Sequence, residues 1–540
     1  MKNIFLILIY LIGIQTISAQ LNVPKDRFTH RDSLQGGLRP ERTCFDVLRY
    51  DLNIKVDIDN KSIIGYNDIT FKVIQKTSKI QIDLFENMQV DSIVYKSQKL
   101  NFKRDEIAVF IDFPSIETGT NQTIRFYYSG KPVIAKKAPW DGGLVVSQDN
   151  QGKPWFAVAC QGFGASCWYP VKDSQSDEPN EGVTIKVAVP NGLMNVSNGR
   201  LIATQDLKNG YTRWDWEVKN PINTYDVTLN IGDYVHFGEN YKGLDLEYYV
   251  LRSNLAIAKK HFEEVKPMMD CFQAKFGTYP FANDSYKLVE TPYLGMEHQS
   301  AVAYGNHYLK GYMGNDLSGT GVGLLFDYIL VHESGHEWFG NSITSRDIAD
   351  MWIHEAFTMY SEFVYIECQY GYEKAMEYAK GVRGNIANDR PIIGPFGVNK
   401  EGSGDMYYKG ANFINTLRHV IGKDKWWDIL KKYSESYRHQ IIDTQTVIDF
   451  FNKESQLNLT PIFNQYLRYT TIPELEIRQN LNVFELRWKT EEPNFEMPID
   501  LFVKGKKTRM LLTNDWKKLD KKVKSIRDIQ PDKEVFYIKY

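Results

Sequence analysis

Hydrophobic and polar residues alternate with a period of two through much of the first half of the chain. Between about residues 45 and 240, short runs such as LRYDLNIKVDID, QTIRFYYSG and VTIKVAVPNG are separated by Asn, Asp and Gly. Such alternation is typical of strands that bury one face, and turn residues between the runs favour antiparallel neighbours. The pattern predicts an N-terminal antiparallel β domain over residues 20–245.

The period changes to that of helices from about residue 250. Runs such as NLAIAKKHFEEVKPMMDCFQAKFG and IHEAFTMYSEFVYIECQYG end at Gly, as helix C-termini often do. Alternation returns between ELEIRQNLNVFELRWKT and EVFYIKY near the C-terminus. We therefore predict a multidomain α+β chain, in which a mainly helical domain over residues 246–470 precedes a small β domain over residues 471–540.

The first twenty residues, MKNIFLILIYLIGIQTISAQ, have the order of a secretory signal. Lys2 precedes an apolar run from Ile4 to Ile14, and the small residues Ser18 and Ala19 follow it. This run is too short to cross a bilayer, and no later run reaches about 18 uninterrupted apolar residues. We predict a signal peptide over residues 1–19 and a mature chain without a membrane span, exported to a periplasm or secreted.

Composition narrows the partners that we expect. The 540 residues are 43% hydrophobic, and 65 basic against 67 acidic residues give a net charge of −2. Such a balance provides no basic field for nucleic acid or an anionic membrane surface, so neither is expected as a partner. Five cysteines are too few for a disulfide scaffold; Cys160 and Cys167 could pair in an oxidising compartment, and at least one cysteine stays unpaired within the chain.

The segment VHESGHEWFG, residues 331–340, is a candidate metal site. On a helix, His332 and His336 project from one face and can offer both imidazoles to one ion. Glu333 is rotated by about 100° from His332 and need not bind that ion. The pattern indicates one Zn²⁺ per chain. The alternative is a surface helix with two solvated histidines.

A catalytic zinc needs a third protein ligand. Glu355, in the run MWIHEAFTMYSEF, lies nineteen residues after His336 and can stand on a neighbouring helix. Its alternative role is that of a glutamate attracted to a helix N-terminus. Glu362 lies seven residues farther, on the same face, and could hydrogen-bond a liganding histidine or be an ordinary surface residue.

Together these residues resemble a known family. HExxH followed by eighteen residues and Glu resembles the gluzincin aminopeptidases, the aminopeptidase N and leukotriene hydrolase family, and GNSITSRDIADMWIHEAF is similar to their stretch between the zinc helix and the third ligand. The resemblance implies a thermolysin-like catalytic domain that cleaves the N-terminal bond of peptides with a free N-terminus. It makes Glu333 the general base. With about 70 residues after the helical domain, we expect a short form without the large C-terminal helical domain of many relatives.

Two segments carry the implied substrate contacts. LGMEH matches the family's exopeptidase motif at Gly295, Met296 and Glu297, with His298 in place of Asn. The resemblance implies that Glu297 binds the substrate α-ammonium, which limits cleavage to the first residue. In ACQGFGASCWYPVKDSQSDEP, Gln161 matches a glutamine that faces the same group.

The segment GDMYYKGANF is similar to the family's YxKG segment. The resemblance gives Tyr407, rather than Tyr408, the role of stabilising the tetrahedral intermediate. Three alternatives stay open: an epoxide hydrolase of leukotriene hydrolase type, an endopeptidase of thermolysin type, and an inactive scaffold on the same fold.

Overall fold

The computed structural model describes residues 28–481 and 483–540. The predicted signal peptide, residues 1–19, lies outside these ranges, so it stays a prediction. Within them, no helix combines the length and the apolar character that a membrane crossing requires.

The N-terminal part is a β-rich domain, as its alternating pattern predicts. Its largest sheet has eight strands in the order β13-β14-β11-β1-β2-β8-β4-β5, and smaller sheets have the orders β12-β15-β10-β9 and β3-β7-β6. The elements are α1 (His30–Gly36), α2 (Pro40–Thr43), β1 (Phe45–Asp57), β2 (Ser62–Val73), β3 (Thr77–Asp83), β4 (Met88–Tyr95), β5 (Gln98–Lys99), β6 (Phe102–Asp105), β7 (Ala108–Ile116), β8 (Asn121–Gly130), β9 (Gly143–Gln148), β10 (Pro154–Ala159), β11 (Val183–Pro190), β12 (Met194–Val196), β13 (Arg200–Asp206), β14 (Tyr211–Val218) and β15 (Asn230–Gly232).

One pairing in the large sheet departs from the predicted antiparallel arrangement. Strands β1 and β11 run parallel, with Tyr50 beside Val183 and Lys55 beside Ala188. Parallel neighbours need a long crossover, and here the connection includes β2 to β10. Alternation within each strand predicts which face is buried, but it carries no information about the direction of a partner that is distant in sequence.

A five-stranded sheet, in the order β16-β17-β18-β20-β19, joins the β domain to the helices. Its successive residues belong to different cores: Tyr248 packs into the helical core, and Tyr249 into the β-domain core. The predicted boundary between residues 245 and 246 falls inside this sheet. Its strands are β16 (Tyr234–Tyr241), β17 (Leu244–Leu251), β18 (Tyr286–Glu290), β19 (Gly295–Met296) and β20 (Val302–Tyr304).

The following domain is mainly helical and carries one short two-stranded sheet. Its longest helix, α6, is buried from Trp352 to Ile366, which explains why its sequence is apolar on nearly every side. The elements are α3 (Leu255–His261), α4 (Val265–Phe276), α5 (Tyr328–Gly335), β21 (Ile343–Ser345), α6 (Trp352–Tyr370), α7 (Tyr372–Gly381), α8 (Tyr408–Ile421), α9 (Lys423–Ser436), β22 (Gln440–Ile442), α10 (Thr444–Ser455) and α11 (Thr460–Arg468).

A small β unit follows the helices, as predicted. It consists of two three-stranded sheets, β23-β24-β27 and β26-β25-β28. Its buried residues, such as Trp488 and Leu501, belong to the same hydrophobic core as the helices, so the unit packs firmly onto them. The strands are β23 (Glu474–Asn480), β24 (Val483–Lys489), β25 (Glu496–Val503), β26 (Lys506–Thr513), β27 (Lys517–Lys518) and β28 (Ile529–Pro531).

The cysteine pairing differs from the one considered above. Cys271 on α4 is bonded to Cys368 on α6, with their Cα atoms 6.1 Å apart. Cys160 and Cys167 are buried free thiols, and the Cys160 thiol donates to the carbonyl oxygen of Tyr225. The two bonded residues are 97 positions apart in sequence and become neighbours only when the helices pack.

Candidate metal centre and active site

The short helix α5 (Tyr328–Gly335) carries the first histidine of the HExxH segment. It begins at Asp327, whose side chain accepts a hydrogen bond from the backbone N–H of Leu330 at 3.1 Å, a standard N-cap. The helix ends at His336, and the chain turns away at Gly340, where φ is +129°. This short segment is long enough to hold both histidines one turn apart.

Three donor atoms converge beside α5. Oε2 of Glu355, in the first turn of α6, lies 3.6 Å from Nε2 of His332 and 3.3 Å from Nε2 of His336. Ligand atoms about 2.0–2.1 Å from a tetrahedral Zn²⁺ would be separated by about 3.3 Å. The same Oε2 is buried without a hydrogen-bond partner in the described chain. Two imidazole nitrogens and one carboxylate oxygen therefore fit zinc.

The outer ring nitrogens of both histidines are held by hydrogen bonds. Nδ1 of His332 lies 2.7 Å from Oε1 of Glu362, whose other oxygen accepts from the Tyr378 hydroxyl at 2.7 Å. Nδ1 of His336 lies 3.0 Å from the carbonyl oxygen of Phe339. With the proton on Nδ1 in each ring, both Nε2 lone pairs face the Glu355 side.

Glu333 lines the same cavity as the three donors His332, His336 and Glu355. Its side chain is almost buried, and burial raises the pKa of its carboxyl group to about 7, against the opposing effect of the two histidines. Gly295 leaves room for it, because a Cβ there would lie 2.8 Å from Oε1 of Glu333. A carboxyl group with a pKa near neutrality can both accept and return a proton.

Glu297, at the end of β19, is held by three neighbours. Its Oε1 accepts hydrogen bonds from Nε2 of Gln161 and from the Tyr225 hydroxyl, the latter at 3.0 Å. Its backbone carbonyl accepts from Nδ2 of Asn341 at 2.7 Å. Tyr225 carries no signal in the sequence, since it is one of 33 tyrosines. Burial raises the pKa of Glu297, and the charge of Glu355 raises it further.

His298, the residue that departs from the family's motif, is fully buried beside Glu297. Burial lowers its pKa to about 3, so the ring is neutral. Neither ring nitrogen has a hydrogen-bond partner within the described ranges. The substitution therefore adds no charge to the neighbourhood of Glu297.

Tyr407 and Tyr408 both line the cavity, but they differ in what they contact. The Tyr407 ring stacks on the His332 ring, with their centroids 6.1 Å apart and an angle of 29° between the planes. Burial and the charge of Glu355 raise the pKa of Tyr407 well above its usual range. The phenol therefore stays protonated at neutral pH and can donate a hydrogen bond.

The cavity has a volume of about 690 Å³ and lies between the β domain and the helical domain. The β domain contributes Trp140, Gly162 and Phe163 to its wall, and the five-stranded sheet contributes Met296. All of the predicted site residues except Glu362 line it, and Glu362 stands behind His332.

Both halves of this site match models of one peptidase family. Residues 47–225 match the peptidase M1 N-terminal domain, and residues 260–466 match the peptidase family M1 domain. The chain belongs to peptidase family M1. The M1 matches cover the segments that hold Gln161, Glu297, the HExxH segment, Glu355 and Tyr407.

Among M1 relatives, the tricorn protease-interacting factor F2 of Thermoplasma volcanium is 20% identical over 395 residues, which are 69% of this chain and 49% of the relative. The glutamyl aminopeptidase of Bos taurus is 20% identical over 82% of this chain and 48% of its own length. This chain thus spans about half the length of the curated relatives it matches.

An M1 zinc metallopeptidase of Deinococcus radiodurans has a similar solved structure. It has a TM-score of 0.68 and 19% sequence identity, and the similarity covers 81% of this chain and 96% of that one. At this identity, the similarity supports the M1 fold of both domains.

We predict that Glu362→Gln weakens zinc binding by about 10–100-fold, because the amide would hold His332 less firmly than the carboxylate does. Competition with a fluorescent zinc chelator measures the affinity. Glu367→Gln, on the same helix but bonded to Arg418, is the matched control. An unchanged zinc affinity in Glu362→Gln would show that this hydrogen bond does not support the metal centre.

Proposed function

We propose that this M1 chain is an exported aminopeptidase that uses one Zn²⁺ to hydrolyse the N-terminal peptide bond of peptides. The observation that supports it best is the position of Glu297. Its carboxylate shares one cavity with the three metal-binding donors and the Glu333 carboxylate. Such an arrangement places an anchor for an ammonium group next to a hydrolytic centre.

His332, His336 and Glu355 are the residues that would hold the zinc. When bound there, the ion would polarise the scissile carbonyl and lower the pKa of a water molecule toward about 7.

The protein's own residues would carry the proton transfers. Glu333 accepts the proton of the attacking water and can return it to the leaving amine, for which its raised pKa is suited. The Tyr407 hydroxyl donates a hydrogen bond to the oxyanion of the tetrahedral intermediate.

Glu297 and Gln161 would select the end of the substrate. The Glu297 carboxylate pairs with the α-ammonium, while the Gln161 and Tyr225 hydrogen bonds keep its Oε1 in place. An acylated N-terminus has no positive charge and would leave the buried carboxylate without a partner, which is costly.

Two observations support export. The first nineteen residues have the pattern of a signal peptide, and the Cys271–Cys368 disulfide is typical of a chain that matures in an oxidising compartment. The relatives of this chain include a glutamyl aminopeptidase and an endoplasmic reticulum aminopeptidase 1. Their names support aminopeptidase activity.

Free and N-acetylated substrates test the proposal. We expect hydrolysis of leucyl-anilide and of Leu-Gly-Gly, and no hydrolysis of their N-acetylated forms. A chelator should abolish the activity, and added zinc should restore it. Glu297→Gln should lower kcat/KM on the free substrates by about 10–100-fold, since a hydrogen bond to a charged group contributes about 1.5–3 kcal/mol.

Glu290→Gln is the matched control, because this carboxylate is also buried but bonds to the backbone of Leu251 and the side chain of Asn254 outside the cavity. Efficient cleavage of acetylated peptides at internal bonds would replace the proposal with an endopeptidase. Zinc binding without hydrolysis of any peptide would favour a scaffold.

A further inference from the structure

Glu401 is a carboxylate of the cavity to which the mechanism assigns no role. We propose that Glu401 recognises the first side chain of the substrate and selects peptides that begin with Lys or Arg. This inference deepens the proposed aminopeptidase function and rests on it. Glu401 would determine which N-terminal residue is removed, whereas Glu297 would bind the free α-ammonium of any peptide.

The segment that carries Glu401 is fixed at both domains. Nδ2 of Asn399 donates to the carbonyl oxygen of Gly162 at 3.0 Å, and the N–H of Asn399 donates to the carbonyl of Asp32 at 3.0 Å. On the helical side, the N–H of Gly394 donates to the carbonyl of Ala349 at 2.8 Å. Because of these contacts, the Glu401 backbone has a defined place in the cavity wall.

Gly162 leaves space for the Glu401 carboxylate. A Cβ on residue 162 would lie 3.2 Å from Oε1 of Glu401, and the φ of Gly162 is +67°, where a side chain is strained. Gly162 directly follows Gln161, which bonds to Glu297. Glu401 therefore lies against the same part of the wall that holds the ammonium anchor.

The Glu401 carboxylate has no hydrogen bond or ion pair within the described chain, although the residue is largely buried. Arg390 also lines the cavity, but the carboxylate within ion-pair distance of its guanidinium is that of Asp389, at 3.9 Å. Burial raises the pKa of Glu401 to about 7, the charges of Glu355 and Glu297 raise it further, and the charge of Arg390 opposes this shift. A largely buried carboxylate that forms no ion pair and keeps a raised pKa favours a cationic ligand.

The space next to Glu401 suits a long side chain. The cavity of about 690 Å³ holds more than an N-terminal ammonium and a scissile bond require. Phe163 and Met296 line it with apolar surface, against which the methylene groups of Lys or Arg can pack. The charged end would then meet Glu401.

Pairs of substrates with side chains of similar length, one charged and one neutral, test this proposal. We expect the zinc-loaded protein to hydrolyse arginyl-anilide faster than citrullyl-anilide, and lysyl-anilide faster than norleucyl-anilide, by at least about tenfold in kcat/KM. In Glu401→Gln both ratios should fall to near unity. Glu117→Gln, an exposed carboxylate of the β domain paired with Lys76, should keep the parent ratios.

Charge reversal gives a second test that misfolding cannot imitate. Glu401→Lys should hydrolyse glutamyl-anilide better than lysyl-anilide, the opposite of the parent preference. A parent protein that does not distinguish arginine from citrulline, or a Glu401→Gln variant that keeps the parent ratio, would overturn the proposal.

Binding separates this inference from the proposed catalysis. In the zinc-loaded Glu333→Gln variant, calorimetry should give a dissociation constant about tenfold lower for free L-arginine than for L-citrulline, and the additional Glu401→Gln change should remove the difference. If no anilide is hydrolysed but this difference is present, the proposed reaction fails and the subsite stands. Equal binding of both amino acids overturns the subsite, whatever the activity.

Discussion

Glu333→Gln should lower kcat on leucyl-anilide by about 10²–10⁴-fold while the zinc content stays equal to that of the parent protein. The amide keeps the size of the side chain but cannot accept the proton of the attacking water. Since Glu333 is not one of the three converging donors His332, His336 and Glu355, its loss should not release the metal. Metal analysis of the same sample that is assayed measures both quantities.

Glu263→Gln is a control for the Glu333 change, because this exposed glutamate pairs with Lys266 away from the cavity. Activity at the parent rate in a zinc-loaded Glu333→Gln protein would remove Glu333 from the role of general base. Loss of zinc together with activity would instead make it part of the metal centre.

His336→Ala should lose both zinc and activity, with a rate at least about 10³-fold below the parent. One nitrogen donor disappears, and the buried Glu355 carboxylate would keep one of its two imidazole neighbours, that of His332. Dialysis followed by metal analysis gives the zinc content, and the anilide assay gives the rate. His30→Ala, at an exposed histidine bonded to Asp105, is the control.

Full activity of His336→Ala after dialysis against a chelator would contradict a zinc-dependent reaction. Thermal unfolding distinguishes a lost ion from a lost fold. Added zinc should raise the unfolding temperature of the parent protein and leave that of His336→Ala nearly unchanged, because only the native parent binds the ion tightly.

The fold could be predicted from local patterns to the level of its domains. Alternation and helical spacing depend on which face of each segment is buried, so they predict the β-rich, helical and β parts in order. They could not predict the parallel pairing of β1 with β11, nor that β16 and β17 join the sheet between two cores. Both depend on contacts between distant segments.

The helix that holds the first histidine shows the limit of periodicity. Leu325 precedes Ile329 by four residues, a helical spacing, yet it lies before the helix and is exposed. Asp327 decides the start, because its side chain caps the backbone of Leu330. The positions of His332 and His336 did not depend on that detail, since both follow the cap.

The two histidines were accessible from sequence because they lie at helical spacing, and Glu355 was assigned from its interval of nineteen residues after His336 and from the family resemblance. Glu362 could be placed in the same way, two turns after Glu355, and the structure puts it 2.7 Å from the His332 ring. Tyr225 and Glu401 could not be found in this way. Tyr225 contacts Glu297 from a short turn, and Glu401 lines the cavity from a loop, and the residues around each are distant in sequence.

The groups that hydrogen-bond the two histidines differ in how strongly they depend on the identity of a single side chain. The His332 ring is hydrogen-bonded to the Glu362 side chain, which a single substitution removes. Nδ1 of His336 lies 3.0 Å from the main-chain carbonyl oxygen of Phe339, which every residue at that position would supply, and 3.1 Å from the Thr358 hydroxyl. For His336, the residue whose identity matters is Gly340, because a Cβ there would lie 3.0 Å from Nδ1 of His336. In a library of variants, we therefore expect active proteins with many different side chains at position 339, with few at position 362, and with almost none other than Gly at position 340.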